Sequence, residues 1–124
     1  MALSEAEKKR IRENWVKRQQ YASDKMEQMK KEALFRAEKI AQYLKKTYGI
    51  SNVILYGSLA RNQWFDMHSD IDLFIEGLFE ERSYFKILNE VEEIARPYKV
   101  SIVTDKEAAD SLKNTVLKEG RELQ

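Results

Sequence analysis

The chain has 124 residues, of which 43% are hydrophobic and 35% are charged, and its formal net charge is +1. This length suits one globular domain with a modest core and leaves no room for a second. The lack of cysteine excludes disulfides, thiolate metal sites and cysteine nucleophiles. No stretch near Met1 is typical of a signal peptide and no apolar run could span a membrane, so we expect the protein in the cytoplasm.

Charge is distributed unevenly along the chain. Residues 1–48 hold 13 Lys/Arg against 7 Asp/Glu, whereas residues 49–124 hold 9 against 14. The basic segment could hold an RNA or an acidic partner by electrostatics. Alternatively, its lysines form the solvated face of a helix, and this interpretation is the favoured one.

The first 48 residues predict helix, because they contain no glycine or proline and are rich in helix-forming residues. Ser4 with Glu7 forms a capping-box pattern at the start. Asp24 with Glu27 could cap a second helix, so one long helix and two shorter ones both remain open. An apolar stripe follows helical spacing through Ile11, Trp15, Ala22, Met26, Met29, Leu34, Ala37, Ala41, Leu44 and Tyr48.

An unbroken helix from Ser4 would be about 65 Å long and would outreach a domain of this size. We expect the part from about Asp24 to pack on a sheet. The projecting end, with Trp15, Tyr21 and Met26, would then need a covering surface. A homodimer through these N-terminal helices, a partner protein and a helix folded back on its own domain are the three alternatives.

The remaining chain predicts alternating strands and helices. Gly49 is a C-terminal helix cap. Tyr84 starts an amphipathic helix that stops before Pro97. Thr104 with Glu107 predicts the cap of a last helix, which closes at Gly120. The predicted strands are residues 50–56, 70–75 and 99–104, and residues 59–63 predict the start of a short helix.

Gly57-Ser58 interrupts the chain directly after an apolar, β-branched run, residues 53–56. A glycine there lets the backbone approach a ligand closely, and a helix start offers free N–H donors. The turn therefore suits a phosphate.

Asp70 and Asp72 alternate with Ile71 and Leu73, so on a strand both carboxylates point to one face. Two adjacent carboxylates favour a cation between them, and Mg²⁺ prefers oxygen ligands of this kind. Glu76 follows on the same face at the far end of the strand. A phosphate turn and a dicarboxylate strand together indicate phosphoryl or nucleotidyl transfer.

These two motifs, Gly57-Ser58-Leu59-Ala60-Arg61 and Ser69-Asp70-Ile71-Asp72-Leu73, resemble the signature of the minimal nucleotidyltransferases (MNT) of the DNA polymerase β superfamily. The resemblance covers about residues 50–123, because Leu117–Leu123 is similar to the closing segment of the family. It implies an α+β nucleotidyltransferase fold with a small mixed sheet flanked by helices and a core at residues 49–124. The long helical N-terminal segment at residues 1–48, predicted from its composition, precedes this core.

The resemblance also implies an activity. Family members use Mg²⁺ to transfer a nucleoside monophosphate from a nucleoside triphosphate, here expected to be ATP, to a hydroxyl on a protein or RNA. Many are partnered with a HEPN-domain protein in toxin–antitoxin pairs.

The resemblance implies roles only for the residues that match the family signature. Asp70 and Asp72 would hold the metal, and Gly57, Ser58 and Ser69 would lie against the phosphates. Arg61 would reach the phosphates or pair with a carboxylate.

Two further features, in the connector between the two motifs, each have two interpretations. Trp64 and Phe65 could stack on a base or fill the core. His68, the only histidine, could touch a phosphate or be solvated.

The sequence departs from the family at one position. Active members present a third carboxylate on the strand after the second helix, where this chain has Ser101. A serine hydroxyl is neutral and is no base at pH 7. Three interpretations follow: a transferase with a different base, a protein that binds Mg²⁺ and nucleotide without turnover, and an antitoxin-like binding partner. Asp105 has the same strand parity, but four residues of strand, about 13 Å, separate it from Ser101.

Overall fold

The computed structural model describes residues 2–77 and 83–124. The elements in chain order are α1 (Glu5–Tyr48), β1 (Asn52–Tyr56), β2 (Asp70–Glu76), α2 (Tyr84–Ala95), β3 (Lys99–Thr104), α3 (Asp110–Glu119) and β4 (Arg121–Leu123). None of the described helices combines the length and the apolar character that a bilayer-crossing segment needs.

The N-terminal segment forms one helix of 44 residues, which decides between the two alternatives. The predicted capping box at its start is confirmed, with Glu7 N–H donating to Ser4 Oγ at 3.1 Å and Ser4 N–H donating to Glu7 Oε1 at 3.0 Å. Asp24 starts no second helix, and its carboxylate accepts from Gln20 at 3.1 Å within α1. The helix ends at Gly49, whose φ of 66° is left-handed.

The four strands form a single mixed sheet in the order β3-β2-β1-β4. β1 is antiparallel to both β2 and β4, and β2 is parallel to β3 through the crossover that contains α2. The predicted α+β nucleotidyltransferase fold, a small mixed sheet with flanking helices and a long N-terminal helix, is confirmed.

The core lies between one face of the sheet and the helices α1 and α2. Alternate strand residues point into it, and all of the following are buried: Ala33, Ala37, Ile40, Leu44, Val53, Leu55, Ile71, Leu73, Ile75, Ile87, Val91 and Ile102. Helix α2 is tied to α1 by Glu90, which accepts hydrogen bonds from Tyr43 and Tyr48. The opposite face of the sheet carries Ile54 and Phe74, which line a cavity with Val116 of α3. The face that bears the acidic residues is therefore outside this core.

Two predicted details of the elements were wrong and one strand was missed. Residues 59–63 form turns and no helix. The last helix begins at Asp110, because Thr104 and Glu107 bond to each other within a separate turn. β4 was not predicted at all.

Candidate nucleotidyltransferase site

Asp70 and Asp72 lie at the start of β2, on the face opposite the core. Ile71 and Leu73 between them are fully buried, which sets the direction of both carboxylates. Asp72 is flanked across the sheet by Tyr56 of β1 and by Ser101 of β3. Asp70 is exposed, whereas Asp72 is half-buried.

The Gly57 turn meets Asp72 directly. Gly57 has a φ of 79°, and a Cβ added to it would lie 2.3 Å from Asp72 Oδ2. Only a residue without a side chain allows this contact. The turn therefore lies against Asp72, on the side of the sheet that bears the acidic pair.

The turn itself has a different form from the one predicted. Arg61 N–H donates to Gly57 O at 3.1 Å and Gln63 N–H to Ser58 O at 3.0 Å, which close a turn that does not continue as a helix. Any phosphate at Gly57 and Ser58 would therefore be bound by local N–H groups and the Ser58 hydroxyl, without the dipole of a long helix.

The charge of the acidic pair is poorly compensated. Burial, and then the charge of Asp70, raise the pKa of Asp72 to about 6, and the Arg61 guanidinium opposes this rise. An ionised Asp72 is thus held where a positive charge would stabilise it, which is the environment that suits a divalent cation. The donor set fits Mg²⁺ through two carboxylates. Within residues 2–77 and 83–124, however, no three His, Cys, Asp or Glu side chains are grouped closely enough to hold a metal.

We expect Asp72→Asn to stabilise the metal-free protein at pH 7 to 8. The folded-state pKa of about 6 exceeds the ordinary 3.8, so ionisation of Asp72 lowers the free energy of unfolding as pH rises from about 4 to 6. The gain in melting temperature should therefore be full above pH 6 and vanish near pH 4. Thermal denaturation without Mg²⁺ across this range measures it.

Asp66→Asn is the control with the opposite sign. Hydrogen bonds from Trp64, and then from the backbone of His68, hold the pKa of Asp66 below its ordinary value. The stability from Asp66 is therefore present at neutral pH and is lost as pH falls below its ordinary pKa. A melting temperature of Asp72→Asn that follows the same trend as Asp66→Asn would contradict the assigned environment of Asp72.

We expect Gly57→Ala to lower both the stability of the protein and its affinity for nucleotide. A left-handed backbone costs a non-glycine residue about 1–2 kcal/mol, and the new methyl group would also displace Asp72. Gly49→Ala is a matched control, because its φ is also positive, at 66°, but nothing lies within 4 Å of the added Cβ. Both variants should melt earlier in thermal denaturation, and only Gly57→Ala should bind nucleotide more weakly in calorimetry. Equal nucleotide affinities for the two variants would contradict a role in nucleotide binding for the close approach of Gly57 to Asp72.

Of the two roles predicted for Arg61, contact with the phosphates and pairing with a carboxylate, the structure shows the second. Its Nη1 lies 3.1 Å from Glu119 Oε1, and its Nε donates to Gln63 Oε1 at 3.2 Å. The Arg61 side chain is 40% exposed, so the ion pair is open to solvent. Release of Arg61 from Glu119 would therefore cost little stability.

The connector between β1 and β2 is organised by Asp66, a residue that the sequence did not single out. Its carboxylate accepts from Trp64 Nε1 at 2.9 Å and from His68 N–H at 2.8 Å. The Ser69 hydroxyl accepts from Asp66 N–H at 3.1 Å, so in this structure it holds the connector. The two aromatic residues differ in their surroundings. Phe65 fills the core, because it is fully buried against Tyr98, whereas Trp64 is 67% exposed.

Lys30 of α1 was also missed. Its side chain is almost buried, and Nζ donates to Asn62 Oδ1 at 3.1 Å and to Asn62 O at 3.4 Å. Asn62 has a left-handed φ of 57°, so this contact fixes the end of the Gly57 turn from the side of the helix. A lysine on the apolar stripe of α1 was the only signal in the sequence.

Ser101 lies beside Asp72 at its registered position on β3, where a third carboxylate would be adjacent to the pair. Asp105 lies past the end of β3, where its N–H donates to Ile75 O at 3.0 Å. Glu76 and Asp105 line a different cavity of about 350 Å³ under α3. Neither residue joins the acidic pair.

Comparison with known proteins identifies this arrangement. The sequence profile of the family described as polymerase beta, nucleotidyltransferase matches residues 38–124, which is most of the chain. Among curated proteins, none matches.

Several solved structures are similar to this chain. One, of a protein described as a minimal nucleotidyltransferase, is 26% identical, with a TM-score of 0.57, and the alignment covers 71% of this chain and 90% of that one. A toxin–antitoxin structure with AMP-PNP is 19% identical, with a TM-score of 0.59 and coverage of 70% and 72%. A Shewanella oneidensis structure, a tri-AMPylated HEPN toxin in complex with an MNT antitoxin, is 19% identical, with a TM-score of 0.56 and coverage of 74% and 71%. The chain therefore belongs to the polymerase β nucleotidyltransferase family.

Proposed function

We propose that the protein transfers a nucleoside monophosphate from a nucleoside triphosphate, with ATP as the expected donor, to a hydroxyl on a protein, in a reaction that depends on Mg²⁺. The observation that carries the proposal is the close approach of Gly57 to Asp72, since it joins a glycine turn to a poorly compensated pair of carboxylates.

In this reaction Asp70 and Asp72 would hold Mg²⁺, which neutralises charge on the leaving pyrophosphate when bound. The Gly57-Ser58 turn would orient the β- and γ-phosphates through its backbone and hydroxyl. Arg61 would leave Glu119 to meet the phosphates. These contacts together would align the α-phosphate with the acceptor.

The acceptor would approach along a groove beside Asp70. This groove of about 630 Å³ is lined by residues of β2, of α2, of β3 and of the connection between α2 and β3, which are Asp70, Asn89, Glu92, Glu93, Arg96, Tyr98, Lys99 and Val100. The attacking hydroxyl would bond to the α-phosphorus as the bond to pyrophosphate breaks. Its proton would pass to solvent in the open groove, because Ser101 is no base at neutral pH.

The similarity to structures of toxin–antitoxin complexes supports a HEPN-domain protein as the partner, with its hydroxyl as acceptor. The test is incubation with α-labelled nucleoside triphosphates, Mg²⁺ and either a HEPN protein or RNA. Label on the HEPN protein supports the proposal, whereas label on RNA alone would show that the acceptor is RNA and not a protein.

A second candidate function rests on Ser101. Without a third carboxylate, the protein could bind Mg²⁺ and nucleotide as an antitoxin-like partner and neutralise a toxin by contact alone. Calorimetry that detects nucleotide binding, together with no label transfer to any acceptor, would favour this function.

A further inference from the structure

The first part of α1 projects from the body of the protein. Every residue from Ala2 to Lys25 is exposed, and the helix first becomes buried at Lys30. We call residues 5–25 the arm. At 1.5 Å per residue the arm is about 30 Å long, roughly the width of a small domain.

The arm presents an apolar line that continues the buried face of α1. Ile11 and Ala22 precede the buried Ala33 at steps of 11 residues, and Trp15 and Met26 precede the buried Ala37 at the same step. An 11-residue repeat stays on one side of a nearly straight α-helix. In the arm, however, Ile11 is 54% exposed and Trp15 is 60% exposed.

The spacing along this line reads the same in both directions. Ile11 and Trp15 are four residues apart, seven residues lead to Ala22, and four more lead to Met26. A second copy in antiparallel orientation would set Trp15 against Ala22 and Ile11 against Met26. Each large side chain then faces a smaller or flexible one, and the same patch serves both copies, as a two-fold interface requires.

We propose that the arms of two copies pair antiparallel, about a two-fold axis that passes between Arg18 and Gln19. The contact would bury the side chains of Trp15 and Ala22 from both copies at its centre. The first turn of each arm would then lie beside Lys30 of the second copy. Because Lys30 contacts Asn62 at the end of the Gly57 turn, each arm would end close to the site of the other copy.

The charge of the arm predicts how this pairing depends on ionic strength. Residues 2–25 hold seven Lys/Arg against four Asp/Glu, so two paired arms repel each other. Added salt screens this repulsion, and dimerisation should therefore strengthen as ionic strength rises. Binding of RNA or of an acidic protein to the same arm would weaken with salt. The palindromic apolar spacing favours the second copy, since a phosphate backbone needs no such register.

Sedimentation of the full chain at 0.05 and 0.5 M salt tests the proposal, with Trp15→Glu and its matched control Tyr21→Glu. Tyr21 is equally aromatic and 70% exposed, but it lies about 120° around the helix from Trp15. The parent and Tyr21→Glu should be dimers that tighten with salt, and Trp15→Glu should be at least tenfold weaker. A parent that stays monomeric at 100 μM, or that binds RNA through Trp15 as a monomer, overturns the proposal.

Disulfide formation tests the register, because the chain has no cysteine of its own. Gln19→Cys lies next to the axis on the paired face, whereas Lys17→Cys lies on the opposite face of the arm. Mild oxidation should give a covalent dimer of Gln19→Cys and not of Lys17→Cys. Equal yields for the two variants, or a higher yield for Lys17→Cys, would overturn the antiparallel pairing even if the protein is a dimer.

Discussion

Replacing Asp70 and Asp72 together with asparagine is expected to reduce nucleotidyl transfer at least about 100-fold, which corresponds to about 3 kcal/mol of transition-state stabilisation. The amide side chains keep the shape of the acids but remove both negative charges. Mg²⁺ would then lose the pair of carboxylates of which Asp72 lies against Gly57. Label transfer from α-labelled nucleotide measures the rate, and calorimetry with and without Mg²⁺ separates binding from chemistry.

The matched control is Glu76→Gln, on the same face and the same strand. Glu76 lines the cavity under α3 and does not join the acidic pair, so its removal should leave transfer within about twofold of the parent, as for most surface changes. Transfer at the parental rate in the Asp70/Asp72 double variant would exclude these residues from the chemistry. Loss of transfer in Glu76→Gln would place the reaction elsewhere on this face.

The acidic strand could be placed from the sequence because its pattern has a single physical solution. Ile71 and Leu73 must be buried, and in a strand this forces Asp70 and Asp72 to the other face. The same reasoning located β1 and α2. The Gly57 turn could be located but its form could not, since the choice between a helix and an isolated turn depends on contacts from Lys30, 32 residues away from Asn62.

Other features had no local signal. β4 has only three residues, Arg121–Leu123, too few to show a period, and it forms because β1 offers a free edge. The Asp66 carboxylate accepts from the Trp64 side chain and from the His68 backbone within an irregular connector, which no sequence pattern describes. For α1, a cap at Asp24 would contribute only about 1 kcal/mol, comparable with the cost of breaking a run of good helix formers, so the sequence left the choice open.

Ser101→Asp is expected to raise the rate of transfer about tenfold or more. The registered pairing of Ser101 with Asp72 would set the new carboxylate directly beside the acidic pair, at the usual strand spacing of about 4.8 Å. There it could accept the proton of the attacking hydroxyl, and general bases contribute about 10²–10⁴ to rates. The same charge should further raise the pKa of Asp72, so the gain should require Mg²⁺ and grow with pH above about 6.

Ser101→Asn separates charge from shape in this experiment, because it is similar in size to aspartate but stays neutral. Steady-state label transfer and the Mg²⁺ concentration for half-maximal rate should improve in Ser101→Asp alone. An equal gain in both variants would attribute the effect to packing against Asp72. No gain in Ser101→Asp, in a parent that already transfers nucleotide, would mean that the attacking hydroxyl gives up its proton without a third carboxylate, and that a serine beside Asp72 is compatible with full activity.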